Sequence, residues 1–269
     1  LTPFADSGLL GLEMSNAQHG ITETLVFGER SEIYEKLWMQ ATAALDRGQP
    51  ELDPRLFDKA GDLRRAVTLV LRPSPAVCGG VRKFLDLLER EFPEQHYYRS
   101  EEIHVTVASV VVGSESWRKE IRHLAACRAL IGQVLARRQA FTIRFQGVTA
   151  SPGCVLIQGF PADDGLSEIR EELHKAFERA GFAGMLDRRY RPVAAHLTVA
   201  RFRDPRSDWR RLASMLRENR CREFGETEVG SLQLIWGDWY ASADVVRLLR
   251  EYPLRARATE HRGDGGGAR

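Results

Sequence analysis

Apolar positions along this chain switch between two periods, and the switches divide it into short elements. Alternating or continuous apolar runs at 65–72, 102–112, 141–148, 154–160, 194–203, 227–236 and 244–250 predict β-strands. Between them, residues 79–92 place Val81, Phe84, Leu85 and Leu88 on one helical face, and residues 117–139 do the same with Ile121, Leu124, Ile131 and Leu135. Two more helices are predicted at 166–180, ending at Gly181, and at 207–219, beginning at Ser207. The order is β-α-β-α-β twice over, which predicts an α+β protein with two pseudo-symmetric halves. Upstream, residues 1–30 hold no period and predict an irregular arm. Residues 31–47 carry Ile33, Leu37, Ala41, Ala44 and Leu45 at helical spacing, stopped by Gly48 and Pro50. The chain thus divides into an N-terminal arm and helical extension (1–63), a bilobal domain (64–255) and a glycine-rich tail (256–269) expected to be disordered.

Two of the predicted strands contain the same kind of word, His104-Val105-Thr106-Val107 and His196-Leu197-Thr198-Val199, 92 positions apart. In a strand, residues i and i+2 face the same way, so each word sets an imidazole beside a hydroxyl and turns its apolar residues to the other face. One such word is ordinary strand sequence. Two of them, one in each half, suggest a duplicated half-site with two histidines on one substrate. Imidazoles with an ordinary pKa near ~6.5 divide into a base and an acid at working pH, and threonine hydroxyls donate to phosphoryl oxygens. In-line displacement at phosphorus needs that set.

The paired words resemble those of the two-histidine (2H) phosphoesterase superfamily, which includes the bacterial 2′-5′ RNA ligase-like proteins and RNA 2′,3′-cyclic phosphodiesterases. The stretch Arg191-Pro192-Val193-Ala194-Ala195-His196-Leu197-Thr198-Val199-Ala200-Arg201 is similar to that family's second motif, including the arginine five residues after the histidine. It departs in having its proline at Pro192 rather than directly before the histidine, and Ala108-Ser109-Val110 replaces the usual ending of the first motif. The resemblance spans roughly residues 64–255. It implies two sheets lining a central cleft with helices outside, His104 and His196 as catalytic residues, and Thr106, Thr198 and Arg201 as phosphate ligands. Strand parity alone would turn Arg201 away from His196, so it reaches the site only if a bulge or the strand end turns it back.

No metal or cofactor is expected. Two histidines and two threonines are a poor ligand set, and no Walker-type loop or G-x-G-x-x-G is found. His19, His96, His123, His174 and His261 lack the H-x-T setting. His96, with Tyr97 and Tyr98, either packs at a loop–strand junction or offers aromatic rings to a base. The formal net charge of +2 rules out a long polyanion track spread over the whole surface. Arg188, Arg189, Arg191, Arg201, Arg203, Arg206, Arg210 and Arg211 nevertheless crowd the second motif, either as a salt-bridged surface or as a phosphate-attracting rim. Cys78, Cys127, Cys154 and Cys221 are scattered, as in a reduced cytoplasmic protein, and no apolar run is long enough to span a membrane. The chain begins at Leu1, so an upstream segment is left open.

These features point to a metal-independent phosphodiesterase acting on a cyclic phosphate or 2′-5′ phosphodiester of a nucleotide or RNA end, working as a monomer. A non-catalytic nucleotide- or RNA-binding module and a mutarotase-like sugar enzyme are the alternatives; duplicated hydroxyl donors favour phosphate. Base preference and the division of roles between the histidines are not encoded legibly.

Overall fold

The computed structural model describes residues 23–59, 61–182, 184–186 and 194–257. Each half opens with a buried strand. Arg65–Leu71 (β1) begins the first, followed by α2 (Pro75–Glu91), which starts where Ser74 caps the Val77 amide and Pro75 fills the first turn. A two-residue strand β2 (His96–Tyr97) precedes β3 (Val105–Ser114), then come α3 (Trp117–Glu120), α4 (Leu124–Leu135) and β4 (Phe141–Ser151). The second half runs β5 (Cys154–Pro161), α5 (Gly165–Arg179), β6 (Leu197–Arg201), α6 (Trp209–Glu218), β7 (Glu223–Val229), β8 (Ser231–Gly237) and β9 (Arg247–Pro253), and α1 (Glu23–Asp46) precedes everything.

The strands form two antiparallel sheets, in the orders β3-β1-β8-β9 and β2-β6-β5-β4-β7. The halves exchange their closing strands: β4 follows the first half in sequence but pairs with β5, while β8 returns to pair with β1. The two H-x-T words therefore occupy matching places, on β3 beside β1 and on β6 beside β5.

Several boundaries differ from the sequence reading. Residues 23–30 belong to α1 instead of an irregular arm: Gly28 weakens helical periodicity but costs only about 1 kcal/mol inside a helix. The predicted 117–139 helix is broken by a 3₁₀ turn at Ile121–His123. The run 227–236 is two strands, because Gly230 separates β7, in one sheet, from β8, in the other. The start of the tail is held in place, with Arg255 bridging Gln139 and the Arg257 guanidinium donating to the Ala140 carbonyl at 2.9 Å. The rest of the expected arm (1–22) and tail (258–269) lies outside the described residues.

Val105, Val107, Leu197 and Val199 are buried in the main core, as strand parity requires for partners of outward-facing histidines. The opposite sheet faces are lined by two smaller apolar clusters. On the β5–β6 side, Cys154, Leu156 and Ala194 meet Tyr34 and Leu37 of α1. On the β1–β8 side, Val70 and Ile235 meet Ala241 and Val246 of the β8–β9 loop. Among the described residues, no helix is long and apolar enough to cross a membrane.

Candidate active site

The two words carry the same backbone irregularity. Leu69 and Val70 pair with Ala108 and Thr106, leaving Val107 as an extra residue; Val155 and Leu156 pair with Ala200 and Thr198, leaving Val199 extra. A bulge of this kind resets the side-chain alternation. Val107-Ala108 and Val199-Ala200 are consecutive buried pairs, after which Ser109 and Arg201 return to the half-exposed face of His104 and Thr106 or of His196 and Thr198. The bulge is what turns Arg201 back toward the site.

Arg170 of α5 ties the two words together. Its guanidinium is buried and donates to the Thr106 carbonyl at 2.7 Å, the Val107 carbonyl at 3.3 Å and the Ala194 carbonyl at 3.2 Å. It thereby satisfies main-chain oxygens of β3, an edge strand, and of the segment entering β6. A basic residue among Leu166, Ile169 and Leu173 on the buried face of a helix was the signal that could have revealed this position.

Both motif imidazoles are half-buried. Desolvation pushes His104 down to about 4, reinforced by the Arg72 and Arg201 charges and opposed by its bond to the Glu102 carbonyl. Desolvation likewise pushes His196 down to about 4, with Arg170, His104 and Arg201 adding to it. That His104 acts on His196, and Arg201 on both, places the groups in one electrostatic neighbourhood. Both rings are therefore neutral at neutral pH. His104 Nδ1 lies 2.7 Å from the Glu102 carbonyl, which assigns its proton to Nδ1 and leaves Nε2 available. The Glu102 side chain accepts from the Arg99 and Ala243 amides, fixing the turn that ends at His104. His196 Nδ1 is buried without a partner among the described residues. Among the described residues, the hydroxyls of Thr106 and Thr198 have no hydrogen-bond partner either.

Arg201 donates from Nε to the Tyr98 hydroxyl at 2.8 Å and lies 5.9 Å from the Tyr240 ring centre. Tyr240 in turn donates to Asp53 Oδ2 at 2.9 Å. His96 packs edge-on against Tyr98 and Tyr240, and burial pushes it down to about 4. Tyr98 is buried and engaged with Arg201, so of the two readings of this aromatic group the packing one fits.

The basic concentration around the second motif divides sharply. Arg201 faces the site. Arg203 donates to the Glu94 carbonyl at 2.6 Å and Arg210 to the Asp46 carbonyl at 3.0 Å, while Arg206 pairs with Asp204 and Arg211 with Glu91. The salt-bridged reading therefore holds for Arg206 and Arg211, Arg203 and Arg210 bond main-chain carbonyls instead, and Arg188, Arg189 and Arg191 lie outside the described residues. An open groove of about 570 Å³ is lined by Glu91, Glu94, Arg206 and Arg211, among other residues, and contains neither motif. Among the described residues, no three His, Cys, Asp or Glu side chains converge as metal ligands. Sequence reasoning missed Arg170, Glu102, Tyr240 and Arg72, because each reaches the site from outside the two words.

The chain is similar to several solved structures, of which TT0787, at a TM-score above 0.5, bears on the fold. TT0787 of Thermus thermophilus superposes with a TM-score of 0.54 at 16% identity, covering 72% of this chain and 100% of that one. Escherichia coli LigT, in a structure complexed with NADP+, gives a TM-score of 0.47 at 14% identity over 71% of this chain and 98% of its own. A protein described as a phosphoesterase gives 0.45 at 16% identity, over 71% and 99%. No curated protein matches the sequence. The model of the 2′-5′ RNA ligase superfamily matches residues 30–239, a span that takes in most of α1 and both H-x-T words. The chain belongs to the 2′-5′ RNA ligase superfamily.

Proposed function

We propose that this protein is a metal-independent phosphodiesterase that hydrolyses a cyclic phosphate or a 2′-5′ phosphodiester of a nucleotide or RNA end. The observation that carries the reading is the matched pair of bulged words. The bulges return Ser109 and Arg201 to the faces of their histidine–threonine pairs, and Arg170 bonds main-chain carbonyls at both words, which supports His104, Thr106, His196, Thr198 and Arg201 acting on one substrate. Both imidazoles are neutral in the empty site. An incoming phosphodiester anion favours protonation of one of them, since an opposite charge nearby stabilises the cationic form. His104 takes that proton, because the Glu102 carbonyl accepts from its imidazolium. His104 then protonates the departing ribose oxygen, while neutral His196 deprotonates the attacking water. In the ligating direction the roles exchange. Thr106, Thr198 and Arg201 hold the non-bridging oxygens as charge accumulates on them.

The test is a panel of nucleoside 2′,3′-cyclic phosphates, 2′-5′ dinucleotides and aldoses, assayed with and without EDTA. Turnover of a phosphoester that persists in EDTA is the expected result. His104→Ala or His196→Ala should each lower kcat by roughly 10²–10⁴-fold. The double variant should be little worse than either single one, because groups acting as a unit are not additive. Activity abolished by chelation and restored by zinc or manganese would overturn the mechanism. Tight nucleotide binding without turnover would select the binding-module reading, and aldose conversion the sugar one.

A further inference from the structure

Among the described residues, Arg72 makes no ion pair; Cys78 and the Glu102 carboxylate favour its charge only from beyond contact distance, and less than burial disfavours it. Arg72 directly follows β1, whose register with β3 pairs Val70 with Thr106 and Leu71 with Val105, so the next position across is His104. The side chain is half-buried, and burial disfavours its charge. Its two hydrogen bonds are long and go to neutral acceptors: Nη1 to the Ile103 carbonyl at 3.3 Å and Nε to Gln233 Oε1 at 3.4 Å. Among the described residues, no carboxylate lies within ion-pair distance of it. Arg64, which is also well buried, instead grips Asp62 through Nη2 at 2.6 Å.

Withdrawing a guanidinium from water without a paired anion is costly. A guanidinium has five N–H donors, and Arg72 uses two. The remaining three can bind an anion without breaking either contact.

The pseudo-symmetry says where that anion belongs. In the second half, the pairing of Leu156 with Thr198 and Ile157 with Leu197 carries Gln158 to the place across from His196. Five residues past each histidine stand Ser109 in the first half and Arg201 in the second. Each half thus contributes one guanidinium, but from non-equivalent positions: Arg72 acts on His104, and Arg201 on both His104 and His196. We infer that Arg72 is a phosphate ligand of the first half-site, opposing Arg201, so that each guanidinium takes one of the two non-bridging oxygens of a phosphodiester. This rests on the phosphodiesterase reading above. It commits that reading to a substrate whose phosphorus bears two free oxygens, and it gives the site a second cation that the motifs do not contain.

The test measures binding of inorganic phosphate by calorimetry and turnover of a nucleoside 2′,3′-cyclic phosphate, for the full chain and three variants. Arg72→Gln supplies the neutral residue found in the other half. Arg72→Lys keeps the charge without the fork. Gln233→Glu puts a carboxylate beside an intact Arg72 and occupies its donors internally. The glutamine variant should weaken phosphate binding about 10- to 100-fold, the loss of charge-assisted hydrogen bonds, and raise KM by a similar factor. Lysine should recover part of this. Gln233→Glu should weaken phosphate binding in the same direction while folding normally, which keeps the inference testable if Arg72→Gln is unstable. Phosphate affinity unchanged in both Arg72→Gln and Gln233→Glu, with the wild type binding phosphate and turning over substrate, overturns the role of Arg72 and leaves the phosphodiesterase intact. A wild type that neither binds phosphate nor turns over a phosphoester removes the functional reading itself.

Discussion

The three histidines His96, His104 and His196 are each pushed from an ordinary value down to about 4, mainly by burial. An unfolded chain binds protons at these positions below about pH 6.5, and the folded chain does so only near pH 4. Between those limits the unfolded state holds more protons, so stability is full above about 6.5 and falls as pH drops toward 4. Urea denaturation at pH 7.5, 6, 5 and 4.5 should show this fall, and His104→Gln combined with His196→Gln should flatten it. A slope unchanged in that double variant would mean that other groups govern the acid limb. The same shift bears on catalysis. The free enzyme must gain a proton to bear one imidazolium, so kcat/KM should rise from pH 8 toward pH 5, and phosphate binding at pH 7 should take up protons from a weak buffer.

At the scale of elements, the irregularities matter more than the regular runs. The histidines, the threonines and the order of strands and helices were legible, because period and spacing are written locally. The bulges were not: an alternation that slips by one residue leaves only the paired apolar letters Val107-Ala108 and Val199-Ala200, each of which also suits an unbroken strand. Nor was the seat of α1 legible, since amphipathic spacing gives a helix its face without naming the surface it covers. That surface is the cleft side of the second sheet. Tyr34 reaches over it, its hydroxyl donating to the Gly159 carbonyl and accepting from the Gly159 amide, both at 3.1 Å. Tyr34→Phe strands two buried main-chain groups and should cost about 1–3 kcal/mol for each that finds no water. Gly159 itself tolerates no side chain, because a Cβ there would run into the Ala195 carbonyl oxygen, one residue before His196. Gly159→Ala should therefore lower both stability and kcat, whereas Tyr34→Phe should lower chiefly stability. Thermal melts and steady-state kinetics on the two variants separate the effects.

Taken as a whole molecule, the chain offers little charge for a long nucleic acid to follow. Its formal net charge is +2. Of the described arginines flanking the second motif, Arg203, Arg206, Arg210 and Arg211 are committed to Asp204, Glu91 and main-chain carbonyls, while Arg201 bonds Tyr98 and acts, like Arg72, on His104. The cleft faces of both sheets are also narrowed, one by α1 and the other by the β8–β9 loop. A protein that neutralises many phosphates releases many counterions, and its affinity falls steeply with salt, by a slope of about −0.7 per contact for single strands. With about one to three phosphate contacts the slope should be shallow. Measuring KM for a cyclic mononucleotide and for a longer RNA bearing the same terminus, at 50 and 200 mM salt, checks this. The two substrates should have KM values within a fewfold of each other and respond alike to salt. A long RNA that binds far more tightly and loses that advantage steeply with salt would require an extended basic groove and overturn the small-substrate reading.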